Sequence, residues 1–268
     1  MNKIPLNYIV FTSTKGHFGN KICFLDTFSS LHQQIPIDNF AANYCHIAVS
    51  PGEEKLAEDM KYSLEFAYET KVRTQIIDWK HGTQENNDNS HQIGYLQSMA
   101  NIYTRDDVNQ IQYSLVSEDD FYIKTYNKDL EYFLNKAVNI LQNNSNIMQI
   151  RIPRFSNEFD RINHLKEKHG IDTRAIESKE DNEIFLHGDW SNNPFIARTR
   201  DLRNAILLII KNEQVLGCHS EHSMGKAMKY FSLSDTPFVC FKPDLIRIGH
   251  RGCPVGLEDN LDQPLIST

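Results

Sequence analysis

The sequence has few cysteines. Cys23, Cys45, Cys218, Cys240 and Cys253 make an odd count of 5 without a Cys-x-x-Cys spacing. That argues against a disulfide framework or a zinc ribbon and favours buried, reduced thiols. Long apolar runs are missing as well: nothing approaches the roughly 20 residues that cross a bilayer. The stretch from Met1 to Thr12 is interrupted by Pro5 and Asn7, so it makes a poor signal peptide and a good first strand, and a cytoplasmic protein is expected. Positive charge is not in excess. A net charge of -7 argues against general polyanion binding, although a local basic groove, built from Arg151, Arg154 and Arg161 or from Arg198, Arg200 and Arg203, is compatible with an acidic total. There is no internal repeat, no Gly/Ser/Pro-rich linker and no G-x-S-x-G nucleophile context, and Gly16-x-x-Gly19 alone is too weak for a dinucleotide fingerprint.

What is present fits one soluble globular domain of 268 residues, with 40% hydrophobic and 24% charged residues and a mean hydropathy of -0.50. Tyr8 to Thr12 is a β-rich run followed by a glycine-containing loop and then a helical pattern through Ile22, Leu25, Phe28 and Leu31. Tyr44 to Val49 repeats the motif, stopping at Ser-Pro-Gly before a helix with Leu56, Met60, Leu64 and Tyr68 on one face. A third strand is predicted over about Arg73 to Trp79, then an Asn-rich loop over 81–90, a helix through Ile93, Leu96, Ala100 and Tyr103, and a strand over Ile111 to Val116. Asp129 caps a strongly amphipathic helix, and Asn146 to Ile152 returns as a strand. Asn157 to Glu183 has the composition of solvated helix and loop, while Asp201 to Ile210 and Ser223 to Phe231 are expected helices and Thr236 to Phe241 a strand. Strands alternating with helices predict a mostly parallel sheet covered on both faces, with ligands collecting at the carboxyl ends of its strands.

The residues suited to chemistry fall largely at such ends. Glu118, Asp119 and Asp120 follow an apolar strand directly, where like charges repel unless something offsets them. They supply hard oxygen ligands suited to Mg2+ or Mn2+ held jointly with a diphosphate, and the alternative is a strand simply reaching water. Ile-Gly-His-Arg-Gly over 248–252 offers His250 as a further ligand and Arg251 for a phosphate oxygen, or else a surface turn. Glu221 opens a helix, where it either presents a proton acceptor or caps the helix. Cys218, His219 and His222 lack a second Cys/His pair for zinc. Trp190 beside Asn192 and Asn193 suits either a planar sugar pocket or a structural loop around a buried ring.

Taken in order, these pieces resemble a GT-A type glycosyltransferase that uses a nucleotide-sugar donor and a divalent metal. In that family the first strand and its loop hold the nucleotide, an Asp-x-Asp-like motif ends a central strand, a carboxylate opening a later helix serves as base, and a late His completes the metal site. The resemblance implies a Rossmann-like α/β fold, a mixed, mostly parallel sheet flanked by helices, in a single domain 1–268. A nucleotide-binding lobe would occupy approximately 1–125 and an acceptor-binding lobe 126–268. It implies that Asp120 and His250 hold Mn2+ or Mg2+. It assigns Thr12, Ser13, Thr14, Asp78, Glu118, Asp119 and Arg251 to the nucleotide, with Lys242 as a further positive group at the leaving group. It also assigns Trp190, Asn192 and Asn193 to acceptor or sugar, and Glu221 as the base of an inverting transfer to an acceptor hydroxyl. The motif here starts with Glu and the helix opens Ser-Glu-His, both departures from the common pattern. UDP is the default donor nucleotide, and a glycan acceptor is preferred to a nucleic acid. The alternatives are a nucleotidyltransferase acting on a sugar phosphate, whose Gly-rich basic loop would here retain only Lys15, a hydroxymethyl-pyrimidine DNA-base glycosyltransferase, and a non-catalytic binding module.

Overall fold

The apolar runs of the first half become neighbouring parallel strands. The protein is described from a computed structural model that defines residues 3–14, 23–76, 87–119, 121–169, 174–188, 190–191, 194–211 and 220–250. Strand β1 (Ile4–Ser13) lies between β2 (Phe40–Val49) and β4 (Tyr113–Glu118), and β3 (Lys71–Ile76) forms the edge beyond β2. All of these pairings are parallel. The second half adds β6 (Gln149–Arg151), β7 (Ala175–Glu177), β8 (Ile184–His187), β9 (Phe195–Arg198) and β10 (Phe238–Phe241). The result is a 9-stranded sheet in the order β3-β2-β1-β4-β9-β6-β10-β8-β7, in which only β9 and β8 run against the rest. A separate antiparallel ribbon joins β5 (Phe121–Thr125) to β11 (Ile246–His250).

Helices cover both faces because the strands alternate their side chains between two apolar layers. On one face, α1 (Cys23–Gln34), α2 (Glu54–Tyr68) and α5 (Leu130–Asn143) bury Phe28, Leu64 and Phe133 against residues such as Tyr8, Ile47 and Ile150. On the other, α3 (Asn87–Tyr103), α7 (Thr199–Lys211) and α8 (Ser220–Phe231) bury Met99, Ile206 and Met228 against Ile9, Val116 and Phe195. Each such fully buried side chain contributes about 1.5–3 kcal/mol. The short α4 (Asp106–Asn109) leads into β4, and α6 (Glu158–His169) lies over the far end of the sheet, where Phe159 meets Phe185. Asp129 caps α5 by accepting the Tyr132 backbone N–H at 2.9 Å, as its sequence position predicts.

The mixed, mostly parallel sheet between helices is the α/β fold expected from the sequence. The differences lie in the details. Helix α3 begins at Asn87, inside the stretch expected to be loop, and the segment 157–183, expected as helix and loop, adds the edge strand β7 to its helix α6. Arg151 and Arg198 do not line a basic groove, since both are buried in ion pairs with Glu158 and Asp201. Arg154 and Arg161 lie against the Phe155 ring. Cys45 and Cys240 are buried free thiols, as expected. No helix among the described residues is long and apolar enough to cross a membrane.

Candidate functional site

Because β1, β2, β3 and β4 are parallel, their carboxyl ends share one edge of the sheet. The register pairs Phe11 with Glu118 and Ser13 with Ala48, so the end of β1 stands between the acidic segment and the end of β2. Side-chain hydroxyls lock these ends together. Thr12, 6% exposed, donates from Oγ1 to Asp119 Oδ2 at 2.5 Å. Thr14 donates its backbone N–H to the Ala48 carbonyl at 2.9 Å, and its Oγ1 accepts the Ser50 N–H at 2.8 Å. Ser13, between them, is half-buried.

Glu118 closes β4 and Asp119 follows it, and both are half-buried at the edge. Asp119 is held twice, through its carboxylate by Thr12 and through its carbonyl by Thr27 of α1, whose Oγ1 lies 2.5 Å from Asp119 O and 3.0 Å from Phe121 O. The buried Cys45 thiol below has its pKa pushed well up, first by burial and then by the Asp119 charge, so it behaves as an inert core group and not as a nucleophile. His46, next along β2, is fully buried and pushed down to about 4 by burial, which keeps it neutral near pH 7.

The chain resumes as β5 with Phe121, and the ribbon register sets His250, the last residue of β11, opposite Phe121. The backbone therefore brings His250 next to the residue that follows Asp120 in sequence. Gly249 faces Tyr122, and the tyrosine ring occupies the space a side chain at 249 would need: a Cβ there would lie 2.0 Å from Tyr122 Cζ. Glu221 falls in the first turn of α8. Gly225, one turn on, packs against Trp190, where a Cβ would come within 2.9 Å of the Trp190 Cβ. Trp190 in turn meets Phe195, which pairs with Val116 near the end of β4.

Trp190 itself is 4% exposed, with its ring packed edge-on against Phe195 and Phe238 at 5.0 and 5.7 Å, so it serves the core here. Lys242 pairs with Glu177 at 2.9 Å. Asp78, Asp120, Asn192, Asn193 and Arg251 lie outside the described residues, as do the side chains of Glu221 and His250. Among the described residues no group of three or more His, Cys, Asp or Glu assembles into a metal cage. The part of the donor set that is described, two carboxylates at a strand end with a hydroxyl network behind them, fits a hard cation such as Mg2+ or Mn2+ better than zinc or copper. Sequence reasoning missed Thr27 and the glycine contact at 249. Thr27 is a polar residue on the buried face of an amphipathic helix, a signal hidden when only the apolar positions are counted.

No protein-family model matches the sequence, and no curated protein sequence matches it. Solved structures do resemble the fold. GalNAc-T7, crystallised with UDP, GalNAc and Mn2+, superposes with a TM-score of 0.52 at 9% identity over 92% of this chain. That alignment spans 44% of the GalNAc-T7 chain, so this protein matches less than half of it. A 4-diphosphocytidyl-2C-methyl-D-erythritol synthase from Anaerococcus prevotii gives a TM-score of 0.46 at 11% identity, covering 93% of each chain. Mouse xyloside xylosyltransferase 1 gives 0.42 at 9% identity, over 87% of this chain and 83% of that one. At these identities the likeness to GalNAc-T7 is one of fold: a GT-A-like, Rossmann-type α/β domain.

Proposed function

We propose that the protein is a metal-dependent glycosyltransferase that moves a sugar from a nucleotide-sugar donor, UDP-linked by default, to an acceptor hydroxyl. The observation that carries this reading is the convergence at one sheet edge. The Glu118–Asp119 strand end, the hydroxyl-tied end of β1 and the end of β11 at His250 meet there, in a fold shared with a transferase crystallised with UDP and Mn2+.

In this reading Asp120 and His250 hold a divalent cation, which when bound neutralises the diphosphate that leaves. Glu118 and Asp119 face the ribose or the cation's waters. Thr12 keeps the Asp119 carboxylate from swinging, so that its charge stays where the nucleotide arrives. The Thr12–Thr14 segment and Asp78 flank the nucleotide, and Arg251 adds positive charge at the phosphates. Glu221, at the start of α8, takes the proton of the acceptor hydroxyl as its oxygen attacks the anomeric carbon, which inverts the configuration there. Asn192 and Asn193 orient the acceptor or sugar hydroxyls. Trp190 takes no part in that contact, since its ring is packed in the core. The two lobes divide the work at about residue 125, donor before it and acceptor after it.

The test is a thermal-shift panel of UDP, GDP, CDP and TDP, each with and without Mn2+, on the wild type and Asp120→Ala. One nucleotide should stabilise the wild type only together with the metal, by about 2–4 °C or more at saturating ligand, and fail to stabilise the variant. If no nucleotide shifts the transition under any condition, the acidic segment is a solvated strand end and the proposal is wrong.

A further inference from the structure

Among the described residues, the edge of β5 away from β11 is met by side chains and not by another strand. Phe121 and Ile123 of β5 are in register with His250 and Ile248 of β11, and their carbonyls accept hydrogen bonds from α1. Two side chains of α1 meet those carbonyls. Thr27 lies at 2.5 Å from Asp119 O and 3.0 Å from Phe121 O, and Gln34, two turns later, donates from Nε2 to Ile123 O at 2.6 Å. The two clips differ in setting. Gln34 works at an exposed surface, whereas Thr27 is 4% exposed, and its one hydroxyl proton is shared between the two carbonyls that flank Asp120 in sequence.

We infer that Thr27 is a positioning residue for the acidic segment: its buried hydroxyl holds the Asp119 and Phe121 carbonyls, and so sets how tightly the strand end that carries Glu118 and Asp119 binds a divalent cation together with a nucleoside diphosphate. The inference rests on the proposed reading of that segment as the metal and nucleotide site. Three consecutive carboxylates repel one another, so an unrestrained segment would relax by turning its carboxyl groups apart. Thr12 restrains the Asp119 carboxylate and Thr27 restrains the backbone, so the preferred geometry exists before the cation arrives and need not be assembled on binding. Thr27 also belongs to α1, the element that follows β1 in the chain. The acidic segment is thereby tied to both elements, β1 through Thr12 and α1 through Thr27.

The test compares Thr27→Val, which keeps the side-chain shape and removes the hydroxyl, with Thr27→Ser, which keeps the hydroxyl. Mn2+ affinity is measured by electron paramagnetic resonance of free Mn2+, in the presence of UDP, GDP, CDP or TDP in turn, on the full chain. Thr27→Val should bind Mn2+ with the nucleotide about tenfold or more weakly, and Thr27→Ser should stay within about threefold of the wild type. Should Thr27→Val fail to fold, Thr27→Ala set against Thr27→Ser isolates the same hydroxyl. Gln34→Leu removes the distant clip and should leave Mn2+ affinity near the wild-type value. A wild type that binds while Thr27→Val binds equally well, whatever its melting temperature, reduces Thr27 to a packing residue and overturns this inference alone. A wild type that binds Mn2+ with none of the nucleotides overturns the site reading and this inference with it.

Discussion

Arg151 and Arg198 show how a single residue's setting decides its role. Both are arginines that the sequence offers as candidates for a basic groove, and both are interior. Arg198 donates to the Ile147 and Asn144 carbonyls at 2.8 and 2.6 Å, to the Leu141 carbonyl, and to Asp201 at 3.0 Å, so it satisfies carbonyls left over at the end of α5. Arg151 donates to Glu158, and the other carboxylate oxygen of Glu158 accepts the backbone N–H groups of Arg154 and Phe155 at 3.2 and 3.0 Å. The Arg151 and Glu158 side chains are 2% and 3% exposed, so removing one partner strands the other charge away from water. Glu158→Ala should therefore lower unfolding stability by about 3–5 kcal/mol in urea titrations. A double change to apolar residues of similar volume, Arg151→Met with Glu158→Leu, should recover a substantial part of that, because no uncompensated charge remains. A loss below about 1 kcal/mol in Glu158→Ala would mean that water reaches the guanidinium. Burial of this kind is a property of tertiary packing, which is why the positions of arginines along the chain do not reveal that these two are interior.

At the scale of elements, what could be read from the sequence divides by how local the signal is. Strands β1 to β4 and β10, and helices α2, α5, α7 and α8, carry their periodicity within one apolar stretch, and they stand where that periodicity puts them, within a few residues at the ends. The elements that escaped are short and held by distant partners. Strands β7, β8 and β9 have three or four residues each, and β5 and β11 exist only because residues 121–125 and 246–250 find one another across the chain. The acidic segment at the end of β4 was legible because charge behind an apolar strand is a local oddity. The clasp around it, Thr27 on one side and the ribbon on the other, was not, because its members look ordinary until the fold assembles them. Gly249 is the sharpest case. Its φ is unexceptional, and what requires glycine is the Tyr122 ring lying where a side chain would go. Gly249→Ala should force that ring out and destabilise the protein by about 1–3 kcal/mol, the usual cost of overpacking. In Tyr122→Ala the same change should be nearly neutral, so a double-mutant cycle should return a coupling of about 1 kcal/mol or more. Additive effects would show that the ring and the glycine do not compete for space.

For the molecule as a whole, acid should act on stability through two groups in separate windows. His46 is fully buried, with its Nε2 3.3 Å from Gln75 Oε1, and burial lowers its pKa from 6.5 to about 4. Between these values the unfolded chain takes up a proton that the folded protein refuses, so stability falls as pH drops below about 6.5 and this contribution levels off near 4. Glu183 behaves as a paired carboxylate. The Lys128 and Lys136 ammonium groups, followed by the Tyr132 hydroxyl, donate to it and hold its pKa at about 2, against an ordinary 4.5. Its stabilisation is complete above about 4.5 and is lost as pH falls through about 2, when protonation releases the link between α5 and the segment leading into β8. The two windows barely overlap, so they can be assigned by substitution. Urea unfolding measured at intervals from pH 8 to pH 3 should give, for the wild type, a slope that steepens below about 6.5 by at most roughly 1.4 kcal/mol per pH unit for one proton. His46→Gln should remove that slope and leave the lower window intact. Glu183→Gln should lower the melting temperature at pH 7 by about 2–4 °C and flatten only the lower window. His46 is in register with Phe11 of β1, which is itself in register with Glu118, so its protonation would place a charge in the sheet beside the edge that carries the candidate site. Nucleotide affinity should then weaken along the same upper window in the wild type and hold steady in His46→Gln. If the wild-type and His46→Gln curves run parallel from pH 6.5 to 4, the folded protein admits the proton at that histidine, and the β2 interior is open to water in a way that its burial denies.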